Sequence, residues 1–231
     1  AELAGAPAWV VHLSTEDGLE EIRMARKRGQ KVYVESCPQY LTLDESVYER
    51  QDFEAAKYVC SPPLRSARDQ YCLWQAIAAG EIDIISTDHC AFNFNGQKEL
   101  GREDFTQIPN GMPGIEHRPA VTYTAAVASG KISASALCRM LAEEPARMFG
   151  LYPQKGVLAV GSDADLVIYD PHRDTVISAQ TQMQNCDYTP YEGFHTSGSV
   201  RDVFLRGTHA VVDGELVLRG QGRYIKRGQS R

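Results

Sequence analysis

The chain has 231 residues, 43% of them hydrophobic and 23% charged, with a net charge of −6. That length allows one large domain or two modest ones with ample core, and the composition speaks against a disordered or membrane-spanning chain. Mild acidity without a basic block argues against nucleic acid as a main partner.

The six cysteines stand singly at positions 37, 60, 72, 90, 138 and 186. None has the short Cys-x-x-Cys spacing of a zinc site, and several lie in apolar runs, as reduced core thiols do. A cytoplasmic location is the expectation. The opening Ala-Glu-Leu-Ala-Gly-Ala-Pro-Ala has neither the basic nor the long apolar region of a secretory signal. Without an initiator Met, and with a strand pattern starting almost at once, the chain reads as the start of a fragment.

Trp9-Val10-Val11-His12-Leu13 is a compact apolar run that predicts a strand with a histidine near its end. Ser14 and Thr15 are candidate N-caps, followed by Glu16 and Asp17 in a first helical turn. Leu19, Ile22 and Ala25 recur at helical spacing, and Arg26-Lys27-Arg28 precede Gly29 as a helix stop. Residues 31–35 alternate and predict a second strand, which opens into Ser36-Cys37-Pro38-Gln39-Tyr40. The unit is strand–helix–strand, as in a parallel sheet. Residues 57–60 predict a third strand, ended by Pro62 and Pro63. Leu73, Trp74 and Ile77 predict a helix over 66–79, with Gly80 as its stop. Ile82, Ile84 and Ile85 predict a fourth strand, leading into Ser86-Thr87-Asp88-His89-Cys90. This alternation looks like half of a (β/α)8 barrel, whose chemistry sits at the carboxyl ends of the strands.

A long Gly-, Asn- and Pro-containing segment over 92–118 follows, of the kind that is usually functional. Two helices are expected over 119–129 and 133–149. After Gly150 the pattern becomes turn-rich, with strands expected at 166–170, 200–205 and 209–212. Asp213-Gly214 marks a hairpin leading into 215–218. Residues 1–154 are thus expected to be barrel, and 155–231 a small β-sandwich portion with a basic, exposed tail.

His12, Gln39, Asp88 and His89 lie at or just beyond strand ends and are candidate metal-site residues, since imidazole and carboxylate suit a hydrolytic divalent metal. The plainer alternatives are that His12 is a hydrogen-bonded core histidine and that Asp88 caps a turn.

Several segments carry a resemblance: Val10-Val11-His12-Leu13-Ser14, Glu35-Ser36-Cys37-Pro38-Gln39-Tyr40-Leu41 and Lys57-Tyr58-Val59-Cys60-Ser61-Pro62-Pro63-Leu64-Arg65. Ser86-Thr87-Asp88-His89-Cys90, Ile108-Pro109-Asn110-Gly111 and the run from Lys155-Gly156 through Gly161-Ser162-Asp163-Ala164-Asp165 complete it. In this order the chain resembles the hydantoinase/dihydropyrimidinase family of the metal-dependent amidohydrolase superfamily, most closely its bacterial phenylhydantoinase-like branch. The resemblance implies a (β/α)8 barrel with a β-sandwich, two divalent metals (zinc, with manganese as an option) and a bridging carbamylated lysine and hydroxide. The implied activity is ring opening of hydantoins or dihydropyrimidines to N-carbamoyl amino acids. By the same resemblance His12 is a ligand of the second metal, and Asp88 binds the first metal and shuttles the proton. Ser61 and Asn110 hold the cyclic amide through backbone groups. Gln39 stands where many members place a second histidine ligand. The family's His-x-His pair and bridging lysine have no counterpart and are expected upstream, so the chain reads as a C-terminal half, inactive alone. A homotetramer is the family's common assembly.

Two other readings stand beside the enzyme. One is a non-catalytic relative acting as an assembly or binding protein, which Asp88, Asn110 and His12 disfavour. The other is a stand-alone binding domain, which an open barrel edge at Trp9 disfavours.

Overall fold

The structure is a computed structural model that describes residues 1–229. The chain divides into two compact units, one formed by Ala1–Val121 and Val176–Phe194, the other by Thr122–Thr175 and the described residues from His195 onward.

In the first unit, β1 (Ala8–Val10), α1 (Glu16–Lys27) and β2 (Val32–Ser36) form the expected strand–helix–strand building block of a parallel sheet. Thr15 caps α1 by accepting from the Gly18 amide at 3.0 Å, and Glu16 and Asp17 occupy its first turn. Leu19 and Ile22 are its buried face. The basic stretch at its end does more than stop the helix. The Arg26 guanidinium donates to Val32 O at 2.8 Å and to the Asp83 carboxylate at 3.1 Å, and that carboxylate accepts the Val34 amide at 2.8 Å. One side chain thereby ties α1 to β2 and to the segment that precedes Ile84.

The short α2 (Pro38–Thr42) starts on a proline at the helix start, where the missing N–H costs nothing. The longer α3 (Ala67–Ala78), capped by Ser66, buries Leu73, Trp74, Ala76 and Ile77. Trp74 Nε1 donates to Leu41 O at 2.8 Å, which fixes α3 against the end of α2. β3 (Ile84–Ile85) then pairs parallel with β2, Glu35 opposite Ile84, giving the sheet order β1-β2-β3.

The sheet therefore has three strands in this unit where four were expected. Residues 57–60 are the exception: Glu54–Tyr58 is a 3-10 helix, and β3 takes the place beside β2 directly. The Tyr-Val-Cys pattern suits a strand, but the Val59 carbonyl accepts from the Gly111 amide and from Lys98 Nζ instead of from a ladder.

The long segment after β3 is ordered by two 3-10 turns, Lys98–Gly101 and Phe105–Gln107. The stretch 178–194 packs within the same unit through backbone-to-carboxylate bonds. Asp187 accepts from the Phe94 and Asn95 amides, and Glu116 accepts from the Met183 and Gln184 amides at 2.7 Å each. Val121, Ile177 and Tyr191 form a buried cluster there, with Leu43 and Phe194 against it.

α4 (Arg118–Thr122) runs into a π-helical stretch, Tyr123–Ala128. In the second unit α5 (Ala134–Cys138), a π turn and α6 (Glu144–Met148) cover the expected second helix. The strands that follow are β4 (Leu166–Asp170), β5 (Thr175–Val176, at the boundary of the two units), β6 (His195–Thr196), β7 (Ser199–Leu205), β8 (Thr208–Val212) and β9 (Glu215–Leu216). β4, β7, β8 and β9 make an antiparallel sheet in that order. Asp213 and Gly214 both take positive φ, 51° and 87°, as the two-residue hairpin between β8 and β9 requires. Val167, Val203, Val211 and Leu216 stand opposite one another across all four strands, with Val167 62% and Leu216 40% exposed. No helix among the described residues is long and apolar enough to cross a membrane.

Candidate active site at the carboxyl ends of the parallel strands

His12 lies two residues beyond β1, and Asp88 three residues beyond β3. Both take left-handed backbone conformations, with φ of 39° and 47°. Histidine and aspartate visit that region more readily than most residues, yet such conformations are costly enough to cluster where the surrounding structure imposes them. The surroundings do so. The Leu13 amide donates to Glu35 O at 2.8 Å, and Ser36 Oγ donates to Leu13 O at 2.8 Å, so the residue after His12 is pinned to β2 on both of its polar groups. The Ser86 amide donates to Ser36 O at 2.9 Å, and Gln39 Nε2 donates to Thr87 O at 3.2 Å, immediately before Asp88.

Gln39 is thus buried and committed through its amide nitrogen, which leaves the amide oxygen as its remaining polar atom. Next to it, the buried Tyr40 donates its hydroxyl to Pro62 O at 2.9 Å, and Cys60 Sγ donates to the same carbonyl at 3.1 Å. Ser61, itself exposed, is held between these two anchor points. A further chain runs from the Cys37 thiol to Ser86 Oγ at 3.2 Å and from Ser86 Oγ to Glu35 Oε1 at 2.8 Å. Burial pushes the Cys37 thiol well above its usual range, so it serves as a donor and not as a nucleophile.

Asn110 is exposed and neighbours Gly111, whose amide donates to Val59 O at 3.0 Å. The segments bearing Ser61 and Asn110 are therefore joined directly. Cys90 and Met112 are joined as well, Cys90 N donating to Met112 O at 3.0 Å. His89 Nδ1 accepts from the Gly114 amide at 3.0 Å and from the Ile115 amide at 3.3 Å, which makes the ring the neutral Nε2–H tautomer. Burial also lowers its pKa. His89 is consequently a brace for the 112–115 backbone, and its Nδ1 is not open to a metal.

The six sequence candidates, His12, Gln39, Ser61, Asp88, His89 and Asn110, thus stand on segments that one hydrogen-bond network connects. Among the described residues, however, no three His, Cys, Asp or Glu side chains gather closely enough to hold a metal ion. His12 and Asp88 do not complete a metal centre by themselves, and the donor set of this chain does not fit a bound ion without further ligands.

Sequence reasoning missed Lys98. It is completely buried and donates Nζ to Val59 O at 2.8 Å and Pro109 O at 2.6 Å, with the Phe92 ring 5.9 Å away. Burial pushes its pKa down to about 8. A Gly-Gln-Lys-Glu-Leu stretch reads as a solvated turn, and the only signal was the aromatic density around it, Phe92 and Phe94.

The depressed Lys98 pKa fixes a pH dependence. Between about pH 8 and the unfolded value of about 10.4, the unfolded chain binds the proton that the folded chain has released, so Lys98 makes stability rise with pH across that window. Urea unfolding of the full-length protein at both ends of the window is expected to show wild type gaining stability relative to Lys98→Met. A constant difference contradicts the assignment.

Comparison with known proteins identifies the class. The amidohydrolase family profile matches residues 4–212, and the chain belongs to that family. Within it, the chain is 48% identical to D-hydantoinase of Streptomyces coelicolor over 228 residues, 98% of this chain and 49% of that protein. It superposes along its full length on half of the D-hydantoinase structure from Bacillus sp. AR9, with a TM-score of 0.97 at 47% identity. Dihydropyrimidinase of Brevibacillus agri matches 94% of this chain and 47% of its own, at 47% identity and a TM-score of 0.92. The chain spans about half the length of the curated relatives it matches. The fold is accordingly half of the hydantoinase α/β fold.

Proposed function

We propose that the protein to which this chain belongs is a cyclic amidohydrolase that opens hydantoin or dihydropyrimidine rings to N-carbamoyl amino acids. In that reaction water adds to a ring carbonyl carbon, the ring C–N bond breaks, and the departing nitrogen takes a proton. The observation that carries the reading is the pair His12 and Asp88, both held in left-handed backbone beyond the ends of β1 and β3, the two strands that flank β2, by bonds from β2 and Gln39. The identity and structural match to hydantoinases support it.

Asp88 is the residue proposed to accept the proton of the attacking water and return it to the leaving nitrogen. Its exposure at the strand end leaves the carboxylate open to substrate. Ser61 and Asn110 present backbone groups to the amide edge of the ring. His12, Asp88 and, through its amide oxygen, Gln39 are proposed ligands of two divalent ions, zinc in the first instance, completed by ligands and a carbamylated lysine outside this chain. Such ions supply Lewis acidity toward a carbonyl and acidify water.

Two structural features suit a larger whole. Among the described residues β1 and β3 each have a single strand neighbour, and the antiparallel sheet carries the apolar row Val167, Val203, Val211 and Leu216, half-buried in its middle and exposed at both ends. Residues 1–154 are accordingly proposed as barrel and 155–231 as β-sandwich, in a cytoplasmic homotetramer.

The test is product analysis with purified full-length protein, hydantoin and 5,6-dihydrouracil. N-carbamoyl amino acid formation that stops on chelation is expected; a metal-loaded protein that opens neither ring refutes the activity. For Gln39, the Gln39→His variant is expected to retain the second metal longer under chelator challenge, because imidazole is a better donor than an amide oxygen. Unchanged metal content removes Gln39 from the ligand set.

A further inference from the structure

A lysine with no exposed surface is an expensive residue, because its ammonium leaves water with no carboxylate to meet it. Lys98 meets two carbonyls instead, Val59 O and Pro109 O, and those two carbonyls belong to different segments. Val59 lies two residues before Ser61, and Pro109 immediately precedes Asn110. The Val59 carbonyl is shared, since it also accepts the Gly111 amide at 3.0 Å. The result is a closed ring of bonds: Lys98 to Val59, Val59 to Gly111, and along the chain through Asn110 to Pro109 and back to Lys98. A methionine would fill the same space without desolvating a charge, so packing alone does not account for a lysine at this position.

We infer that Lys98 is a positioning residue for substrate, holding the Ser61 and Asn110 segments at a fixed separation through its bonds to Val59 O and Pro109 O. This rests on the proposed ring-binding role of those two segments. The side chain itself points at backbone and touches no reacting atom, so it sets the affinity for the ring and leaves proton transfer at Asp88 to proceed. The lowered pKa agrees with this use. A neutral amine still carries two N–H groups, one for each carbonyl, so the clamp persists on either side of about pH 8.

The experiment compares full-length wild type with Lys98→Met, using hydantoin and 5,6-dihydrouracil as probes and backbone hydrogen exchange as a second readout. The expected result is KM raised about tenfold with kcat within about threefold, the pattern of lost ground-state positioning. Exchange at residues 60–61 and at 110–111 is expected to rise together, with the rest of the protein unchanged. An unchanged KM, a loss of kcat in step with the unfolded fraction, or exchange rising at one segment alone overturns the inference. Should Lys98→Met fail to fold, Lys98→Gln, whose shorter arm cannot span both carbonyls, is measured the same way against the same criteria. A wild type that opens neither ring sinks the cyclic-amide reading, while the paired exchange still decides whether Lys98 joins the two segments.

Discussion

Asp88→Asn in the full-length protein is expected to lower kcat/KM for ring opening by roughly 10²–10⁴-fold, the usual contribution of a positioned acid–base group. Asparagine is the informative replacement. Asp88 sits at φ 47°, a conformation asparagine tolerates and alanine resists, so the backbone presented by Thr87 and Gln39 survives the change. The amide keeps the shape and an oxygen, and loses the ability to take a proton. Activity is therefore expected to fall without a matching fall in melting temperature. Wild-type turnover in this variant would remove Asp88 from the mechanism and favour the plainer reading, in which it caps a turn.

The second large effect is expected at Gly111. Its φ is 129°, and a Cβ placed there would lie 2.4 Å from Cys90 Cβ and 2.5 Å from its sulfur. Cys90 cannot yield easily, because its amide is bonded to Met112 O. Gly111→Ala must then break the Gly111–Val59 bond or displace the Asp88–Cys90 strand end. Backbone strain and overpacking together are expected to cost roughly 2–4 kcal/mol and to depress activity with stability. Gly222→Ala, where a Cβ meets nothing within 4 Å, is the neutral comparison. Equal urea midpoints for the two variants would show that the 108–114 segment does not lock onto this strand end.

Much of this architecture could be read from residues because the relevant signals are local. The Thr15 cap and the Asp213-Gly214 turn depend on a few neighbouring atoms, and each stands where expected. The polar cluster after Ile84 and Ile85 also announced itself, since Asp88 and His89 stand just beyond a buried apolar pair at the carboxyl end of a parallel strand. What stayed hidden depends on partners distant in sequence. Residues 57–60 have the composition of a strand, but the Val59 carbonyl is claimed from 39 and 52 positions away, by Lys98 and Gly111. Lys98 itself carries no periodic pattern, and a lone lysine in a glycine-containing turn gives no hint of complete burial. The return of 178–194 to the first unit rests on Asp187 and Glu116 accepting amides across long sequence gaps, which no local pattern encodes. His89 shows the opposite lesson. Its place beside Asp88 suggested a ligand, whereas its Nδ1 is spent on the Gly114 and Ile115 amides.

The most direct measurement is cyclic-amide turnover by the 231-residue chain alone and by the full-length protein, side by side with the same divalent metal supplied. The account predicts ring opening by the full-length protein and none by the chain alone, because His12 and Asp88 are proposed as two ligands of a centre, and among the described residues no third His, Cys, Asp or Glu joins them to hold an ion. Turnover by the isolated chain at the full-length rate, or none by the metal-loaded full-length protein, would contradict it.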